Sequence, residues 1–330
     1  MLPQRLLDAA DIVREAALLV REIQRTLVTP ALEKSDRSPV TVADFASQAV
    51  IAARLKSQWP GEPLVGEENA QALRTPEHAA QLAQVAAFVG QRLPAMNEQR
   101  VCDWIDEGAA DPADAFWTLD PIDGTKGFLR GDQYAVALAF IQSGRVELAV
   151  LGCPELAGAR APERGGPGSL VVAARGQGAW TAPLADGSGT ADWRQLAVSN
   201  QSDPALARVL RSVESGHTDK GKAGELSDAF GSQAEPIGMD SQAKYAVLAA
   251  GGAELLVRLI SPSRPDYKEK IWDQAAGSLV IDEARGRVTD LDGRPLDFSH
   301  GRTLAANRGV LATNGHLHEA ALAALKAVRA

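Results

Sequence analysis

One segment constrains this chain more than any other: Trp117-Thr118-Leu119-Asp120-Pro121-Ile122-Asp123-Gly124-Thr125-Lys126-Gly127-Phe128. The apolar stretch from Ala115 to Leu119 reads as a strand. It runs into Asp120, with Asp123 three residues on. Pro121 fixes its own φ and has no N–H to donate. Gly124 permits close backbone approach, and Thr125 opens a new segment with the character of a short helix. Two carboxylates at a strand-to-helix turn can point into one pocket, and the Ile122 carbonyl between them can face the same way. Hard oxygen donors of this kind suit Mg²⁺. The N–H groups of Gly124 and Thr125, at a helix start, suit a phosphate. Metal and phosphate at one turn are the parts of phosphoryl chemistry. Taken alone, the turn reads equally well as a capped turn in which Asp120 and Asp123 bond backbone amides.

The flanking sequence sets the architecture in which this turn has to sit. The chain has 330 residues, and at roughly 150 residues per domain two domains are expected. Leu6, Leu7, Ala10, Ile12, Val13, Ala17, Leu18, Val20 and Ile23 give helical spacing over residues 6–28, stopped by Pro30. A second helix is predicted from Thr41 to Gln58, then a short strand at Leu64-Val65-Gly66, then a third helix over residues 76–96. After Ala115 strands crowd together: Tyr134–Ile141, Val146–Leu151 and Leu170–Ala174, with turns at Gly144, Gly152 and Gly176. Helices followed by adjacent strands imply an α+β layer on an antiparallel sheet. The second half alternates, with strands at Ala207–Val213, Glu235–Gly238, Glu254–Leu259, Arg287–Thr289 and Gly309–Ala312. Its helices are predicted at Ala223–Phe230, Ser241–Gly251, Asp273–Glu283 and Leu317–Val328. A boundary near Gln195, after the small and polar stretch Asp186–Thr190, divides an N-terminal α+β domain (1–195) from a C-terminal α/β domain (196–330).

Composition excludes several classes. Hydrophobic residues make up 45% and charged residues 23%, as in an ordinary globular protein. The formal charge of −8 disfavours a nucleic-acid partner, which would need a basic field. No apolar run reaches the ~20 residues that span a bilayer, and Asp8 and Asp11 interrupt any signal-peptide core. Cys102 and Cys153 cannot form a disulfide framework and read as small apolar fillers. A cytoplasmic protein with a small-molecule substrate and no membrane partner is expected. His78, His300, His316 and His318 look like surface residues. Arg130-Gly131-Asp132 and Asn200-Gln201-Ser202 would matter only outside the cell. There is no Walker A loop or dinucleotide fingerprint.

Three further acidic places accompany the central turn. Asp44 falls one turn into a predicted helix, where an acid is favoured by the dipole alone. Glu67 and Glu68 follow an apolar strand, as in any solvated turn. Asp273, in Ile271-Trp272-Asp273-Gln274-Ala275-Ala276-Gly277, has the place of a helix cap. Together, the ordered set Gly66-Glu67-Glu68, Asp120-Pro121-Ile122-Asp123-Gly124-Thr125 and Trp272-Asp273-Gln274-Ala275-Ala276-Gly277 resembles the lithium-sensitive, magnesium-dependent phosphatase superfamily that contains inositol monophosphatase, inositol polyphosphate 1-phosphatase, fructose-1,6-bisphosphatase and 3'(2'),5'-bisphosphate nucleotidase. Lys126-Gly127-Phe128-Leu129-Arg130-Gly131, the segment Lys34 to Thr41, and Asp240-Ser241-Gln242-Ala243-Lys244-Tyr245 with Arg258 look most like the bisphosphate nucleotidase branch.

The resemblance implies an αβαβα layered sandwich with the active site between an antiparallel-sheet domain and a mixed α/β domain. It implies two to three Mg²⁺ held by Asp44, Glu67, Asp120, Asp123, Asp273 and the Ile122 carbonyl. Five clustered carboxylates repel unless cations neutralise them, which agrees with that assignment. Thr125, paired with Asp44 or Glu67, would orient the attacking water, and Gly124 and Thr125 would meet the phosphate. Ser241 and Lys244, three apart near a helix start, can face one ligand. The resemblance places them on a nucleotide and its 5'-phosphate, with His217, Arg258 and Asp273. Lys244 and Arg258 read alternatively as solvated charges, and His217 as an ordinary loop residue. The implied reaction is hydrolysis of the 3'-phosphate of adenosine 3',5'-bisphosphate to AMP, with 3'-phosphoadenylyl sulfate as a second substrate, by a monomer or homodimer. The alternative is an inositol phosphate phosphatase. An anion sensor would be favoured by loss of a metal acid or of Thr125, and none is lost.

Overall fold

The computed structural model describes residues 2–26, 32–33, 39–185, 192–213, 220–261 and 263–328. Helix α1 (Gln4–Thr26) buries Leu6, Ala9, Ala10, Val13, Ala16, Ala17, Val20 and Ile23 along one stripe. Helix α2 (Val42–Gln58) starts with a capping box: Thr41 Oγ1 accepts from Ala43 N at 3.1 Å, and Asp44 Oδ2 accepts from Thr41 N at 2.8 Å. Its alanines, buried on nearly every side, let α1, α3 (Ala79–Gly90) and α4 (Glu98–Asp106) pack closely around it. The sequence predicts one helix over residues 76–96. Instead α3 is shorter, and α4 follows, capped by Asn97 and burying Val101, Cys102 and Ile105.

These helices cover one face of a seven-stranded sheet. Its order is Arg194–Gln195, Gly178–Pro183, Ser169–Ala174, Arg145–Cys153, Ala135–Gln142, Ala115–Asp123 and Leu64–Gly66. All neighbours run antiparallel except the last pair, which is parallel. The central acidic strand continues past Leu119, where the sequence suggests an end, to Asp123. Its register with Ala135–Gln142 shifts between Asp120 and Asp123. That irregularity lies where Pro121 has no N–H for the ladder. The short helix α5 (Thr125–Arg130) follows at once.

The other face of this sheet packs on α7 (Ala243–Ala249) and α8 (Ala275–Glu283), which in turn meet a five-stranded sheet. That sheet has the order Ile237–Gly238, Val209–Arg211, Leu255–Arg258, Val310–Thr313 and Arg287–Thr289. Its first three strands are parallel and its last two join antiparallel. Helices α6 (Lys220–Phe230) and α9 (His318–Ala327) close the outside. The layers are therefore αβαβα, as the family resemblance implies. Among the described residues no helix is long and apolar enough to cross a membrane.

Two further expectations are corrected. His318 is fully buried rather than superficial: its ring nitrogens lie 2.9 Å from Thr313 Oγ1 and 3.0 Å from Thr289 Oγ1. Two threonine hydroxyls satisfy the imidazole, so burial costs it little. Asp273 is not the first residue of its helix, since α8 begins at Ala275 and leaves Asp273 in the preceding turn. Cys102 and Cys153 are both buried, in different cores.

Candidate active site

Helix α2 presents Asp44, Ser47 and Gln48 on one face, spaced three and four residues apart. Each reaches a different part of the acidic centre. Asp44 Oδ1 accepts from Thr125 Oγ1 at 3.3 Å, while its Oδ2 takes both the N–H and the hydroxyl of Thr41. Ser47 Oγ donates to the Pro121 carbonyl at 3.0 Å, between Asp120 and Ile122. Gln48 Nε2 donates to the Glu68 and Ile105 carbonyls, each at 2.7 Å, and its Oε1 accepts from Glu68 N at 3.1 Å. The strand end bearing Glu67 is thereby fixed from both polar groups of the next residue. Gly66 must lack a side chain here, because a Cβ would sit 2.6 Å from Gln48 Oε1.

Asp120 is buried, and its Oδ1 accepts from Ile122 N at 3.1 Å. Thr125 Oγ1 also lies 3.2 Å from the Ile122 carbonyl, so Asp44, Thr125 and Ile122 form one connected group. Gly124 has φ +88, and a Cβ on it would come within 2.8 Å of Ser241 Cβ. Only glycine allows this turn and this approach of the two halves. Across the contact, Gln242 N donates to Asp123 Oδ2 at 2.6 Å. The Gln242 side chain donates to Trp272 O at 2.9 Å and accepts from Gly277 N at 3.0 Å. It therefore ties the Asp123 turn to the Asp273 turn. Ser241 adopts φ +68, an uncommon conformation for a residue with a side chain, and its Oγ accepts from Ala243 N at 3.2 Å. Lys244 is buried and donates to Ser212 Oγ at 2.8 Å. Arg258 pairs with Glu269 at 2.9 Å, and its buried Nε has no hydrogen-bond partner among the described residues. Glu269 is held in turn by Gln274 Nε2 at 2.8 Å.

The model of the inositol monophosphatase family matches residues 3–330. The chain belongs to the inositol monophosphatase family. Among relatives it is 37% identical to the 3'(2'),5'-bisphosphate nucleotidase of Emericella nidulans, over 96% of each chain. It is also 37% identical to a 3'(2'),5'-bisphosphate nucleotidase of Oryza sativa, over 96% of this chain and 92% of the other. Among solved structures, the Thermotoga maritima IMPase superposes with a TM-score of 0.68 at 19% identity, covering 99% of this chain and 98% of its own. CysQ from Bacteroides thetaiotaomicron gives 0.60 at 18% identity, over 94% of this chain and 97% of its own. These last two likenesses establish the shared fold.

In this family member the acids act on one another electrostatically. Burial pushes the Asp123 and Asp273 carboxyls upward. Arg258 opposes the shift at both, and each is raised further by the charge of Glu67. Asp123 also raises Asp273. Lys244 is pushed down to about 8, first by burial and then by Arg258. Glu67, Asp123, Asp273, Lys244 and Arg258 thus share one electrostatic neighbourhood. Among the described residues no three His, Cys, Asp or Glu side chains close into a formed metal cluster. The donor set nonetheless fits a hard divalent cation. It consists of oxygens alone, and its carboxylates carry a desolvation and repulsion penalty that a cation removes. His217 and residues 34–38 lie outside the described residues.

Sequence reasoning missed Ser47, Gln48, Gln242 and Glu269. Ser47 and Gln48 could have been found: they share the helical face of Asp44, and a buried polar face on an otherwise apolar helix needs partners. Gln242 and Glu269 carry no local signal, since their partners come from other layers.

Proposed function

We propose that this chain is a divalent-metal-dependent phosphomonoester hydrolase that removes the 3'-phosphate of adenosine 3',5'-bisphosphate, giving AMP and phosphate. The observation that carries the reading is the placement of two cations, the buried Lys244 and the half-buried Arg258, in the same electrostatic neighbourhood as Glu67, Asp123 and Asp273. A monoester on an uncharged ring needs the acidic centre alone and would leave those cations facing hydroxyls. A bisphosphate supplies a second anion for them. Full-length likeness to bisphosphate nucleotidases at 37% identity supports the same choice over an inositol phosphate substrate. 3'-Phosphoadenylyl sulfate carries the same 3'-phosphate and an anionic 5' group, so it fits the same site and would place the enzyme in sulfur metabolism in the cytoplasm.

Asp44, Glu67, Asp120, Asp123, Asp273 and the Ile122 carbonyl would hold two or three Mg²⁺. When bound, Mg²⁺ neutralises these acids, polarises the phosphoryl oxygens and lowers the pKa of water. Thr125 orients the attacking water through its hydroxyl, which Asp44 holds in place. Thr41 fixes the other oxygen of Asp44, so the Asp44–Thr125 pair keeps one geometry. Gly124 and Thr125, at the turn after Asp123, would meet the phosphoryl group. Ser241, Lys244 and Arg258, with His217 and Asp273, bind the nucleotide side. The two halves, divided near Gln195, contribute the acids and the nucleotide contacts respectively, with Asp273 crossing from the second.

The test is phosphate release with Mg²⁺ from adenosine 3',5'-bisphosphate and inositol 1-phosphate in parallel. A strong preference for the nucleotide is expected. Preference for the inositol ester would keep the acidic centre and overturn the role of Lys244 and Arg258. Release from neither would overturn the hydrolase reading.

A further inference from the structure

We propose that Arg302 is a positioning residue that holds Glu67 and Asp273 at a fixed separation. The inference rests on the metal-dependent reading of the site given above. The main chain of residues 302–304 is stitched to the segment just before Asp273. Leu304 N donates to Glu269 O at 2.9 Å, Ile271 N donates to Arg302 O at 3.2 Å, and Lys270 and Thr303 form a bridge. From this anchored position the side chain reaches into the other half of the molecule. Its Nη2 donates to the carbonyl of Gly66, the residue before Glu67. Its Nη1 donates to Ala110 O at 2.9 Å. The guanidinium plane also lies over the Trp272 indole, 5.0 Å from the ring centroid, and Trp272 is buried. One side chain therefore touches the residue before Glu67 and the residue before Asp273.

Hydrogen bonds from the first half also hold the main chain of residues 66–68. Gly66 N donates to Gly108 O, Glu67 N donates to Leu119 O, and Gln48 holds Glu68. They fix Glu67 within its own layer and say nothing of its distance from Asp273. Arg302 supplies that link. Its planar fork is the feature that matters, because two carbonyls and an aromatic face are satisfied together. A lysine of similar reach keeps the charge but serves one carbonyl at a time. The two residues Arg302 touches, Gly66 and Trp272, are directly bonded in the chain to Glu67 and Asp273. Cations held in one cluster by these acids and their neighbours would thus be sensitive to small changes in their spacing.

The experiment measures Mg²⁺ binding by calorimetry without substrate, in the wild type, Arg302→Lys, Arg302→Gln and the control Arg308→Gln. Arg308 pairs with Asp292 on the exposed surface at 2.9 Å. The expected result is a loss of about 10–100-fold in Mg²⁺ affinity for both Arg302 variants, as for other groups that orient metal ligands. The melting temperature should stay within a few degrees of wild type, and kcat at saturating Mg²⁺ should recover to within about threefold with KM unchanged. Arg302→Lys decides the matter should Arg302→Gln fold poorly. Wild-type Mg²⁺ affinity in the folded Arg302 variants, or an equal loss in Arg308→Gln, overturns the proposal. A wild type that binds no Mg²⁺ overturns the metal-dependent reading itself, and that result is read from the wild type alone.

Discussion

Removing the Thr125 hydroxyl separates the chemistry of this site from its assembly. Thr125 Oγ1 lies 3.3 Å from Asp44 Oδ1 and 3.2 Å from the Ile122 carbonyl. A hydroxyl has one proton and serves one acceptor at a time. Both distances exceed the ~2.7–2.8 Å of a strong O–H···O bond. The fold therefore depends little on this group. Thr125→Val should cost about 1 kcal/mol of stability, a fall of roughly 2–4 °C in Tm or less for a chain of this size. Turnover should depend on it far more. Apo contacts of this length tighten when substrate binds, and a positioned proton-transfer group contributes about 10²–10⁴-fold. That factor equals roughly 2.7–5.4 kcal/mol of barrier, well beyond the folding term. The assay is phosphate release from adenosine 3',5'-bisphosphate at saturating Mg²⁺, with kcat and KM determined separately. Thr125→Val is expected to lose at least ~10² in kcat with KM within about threefold, while Thr125→Ser retains most of its rate. A Thr125→Val enzyme with near wild-type kcat would refute the reasoning. So would an equal loss in Thr125→Ser, since it would trace the effect to packing of the methyl group.

Asp120→Asn keeps an oxygen for Ile122 N but removes a buried charge. Phosphate release should fall by about two orders of magnitude or more, and a variant retaining wild-type turnover would remove Asp120 from the acidic centre. Lys244, pushed down to about 8 by burial and by Arg258, is charged below that pH and neutral above it. Accordingly kcat/KM for the bisphosphate should decline above about pH 8, and Lys244→Met should abolish that decline; a wild type flat through pH 9.5 contradicts the assignment. His318, pushed down to about 4 by burial with Arg287 adding to the effect, stays neutral in the fold while an unfolded histidine protonates near ~6.5. As pH falls the unfolded chain takes the proton first, so stability holds above about 6.5 and is lost between there and 4, at about 1.4 kcal/mol per unit. His318→Gln should flatten that part of the Tm profile, and identical slopes in variant and wild type would exclude His318 as its source.

How far the sequence reveals this molecule depends on the reach of each interaction. Periodicity shows which face of an element is buried, and so α1, α2 and the strands from Ala115 onward are legible. The strand Arg287–Thr289 is read to the residue. The acids are legible because Asp120 and Asp123 are close in the chain and because the wider motif matches a known family. What local pattern does not encode is the partner. Arg302 meets Gly66 across 236 positions, and Gln242 meets Asp123 across 119. Neither residue type nor spacing advertises such a pairing. His318 fails for a related reason: a lone histidine near a helix start looks exposed until two threonines from other strands are placed beside it. Helix α4 escapes because its buried positions are few and its Asn97 cap is separated from α3 by a short turn.

The distribution of the acids among layers has a consequence for how the site comes into being. Asp44, Glu67, Asp120 and Asp123 come from α2 and two adjacent strands, and the Asp44–Ser47–Gln48 face of α2 braces all of those elements. This part lies wholly within the first layers. Asp273 arrives only with the second half, through Gln242 on Asp123 and through the contact of Gly124 with Ser241. A side chain at Gly124 would meet Ser241 and also demand a left-handed backbone, so it would separate the halves at the point where they must touch. The acidic centre is therefore complete only when the two halves are docked. Burial then raises the Asp123 and Asp273 carboxyls in the same step that brings Lys244 and Arg258 alongside. On the proposed reading, affinity for a cation and affinity for a bisphosphate would be created together, which would couple them without any need for a moving part.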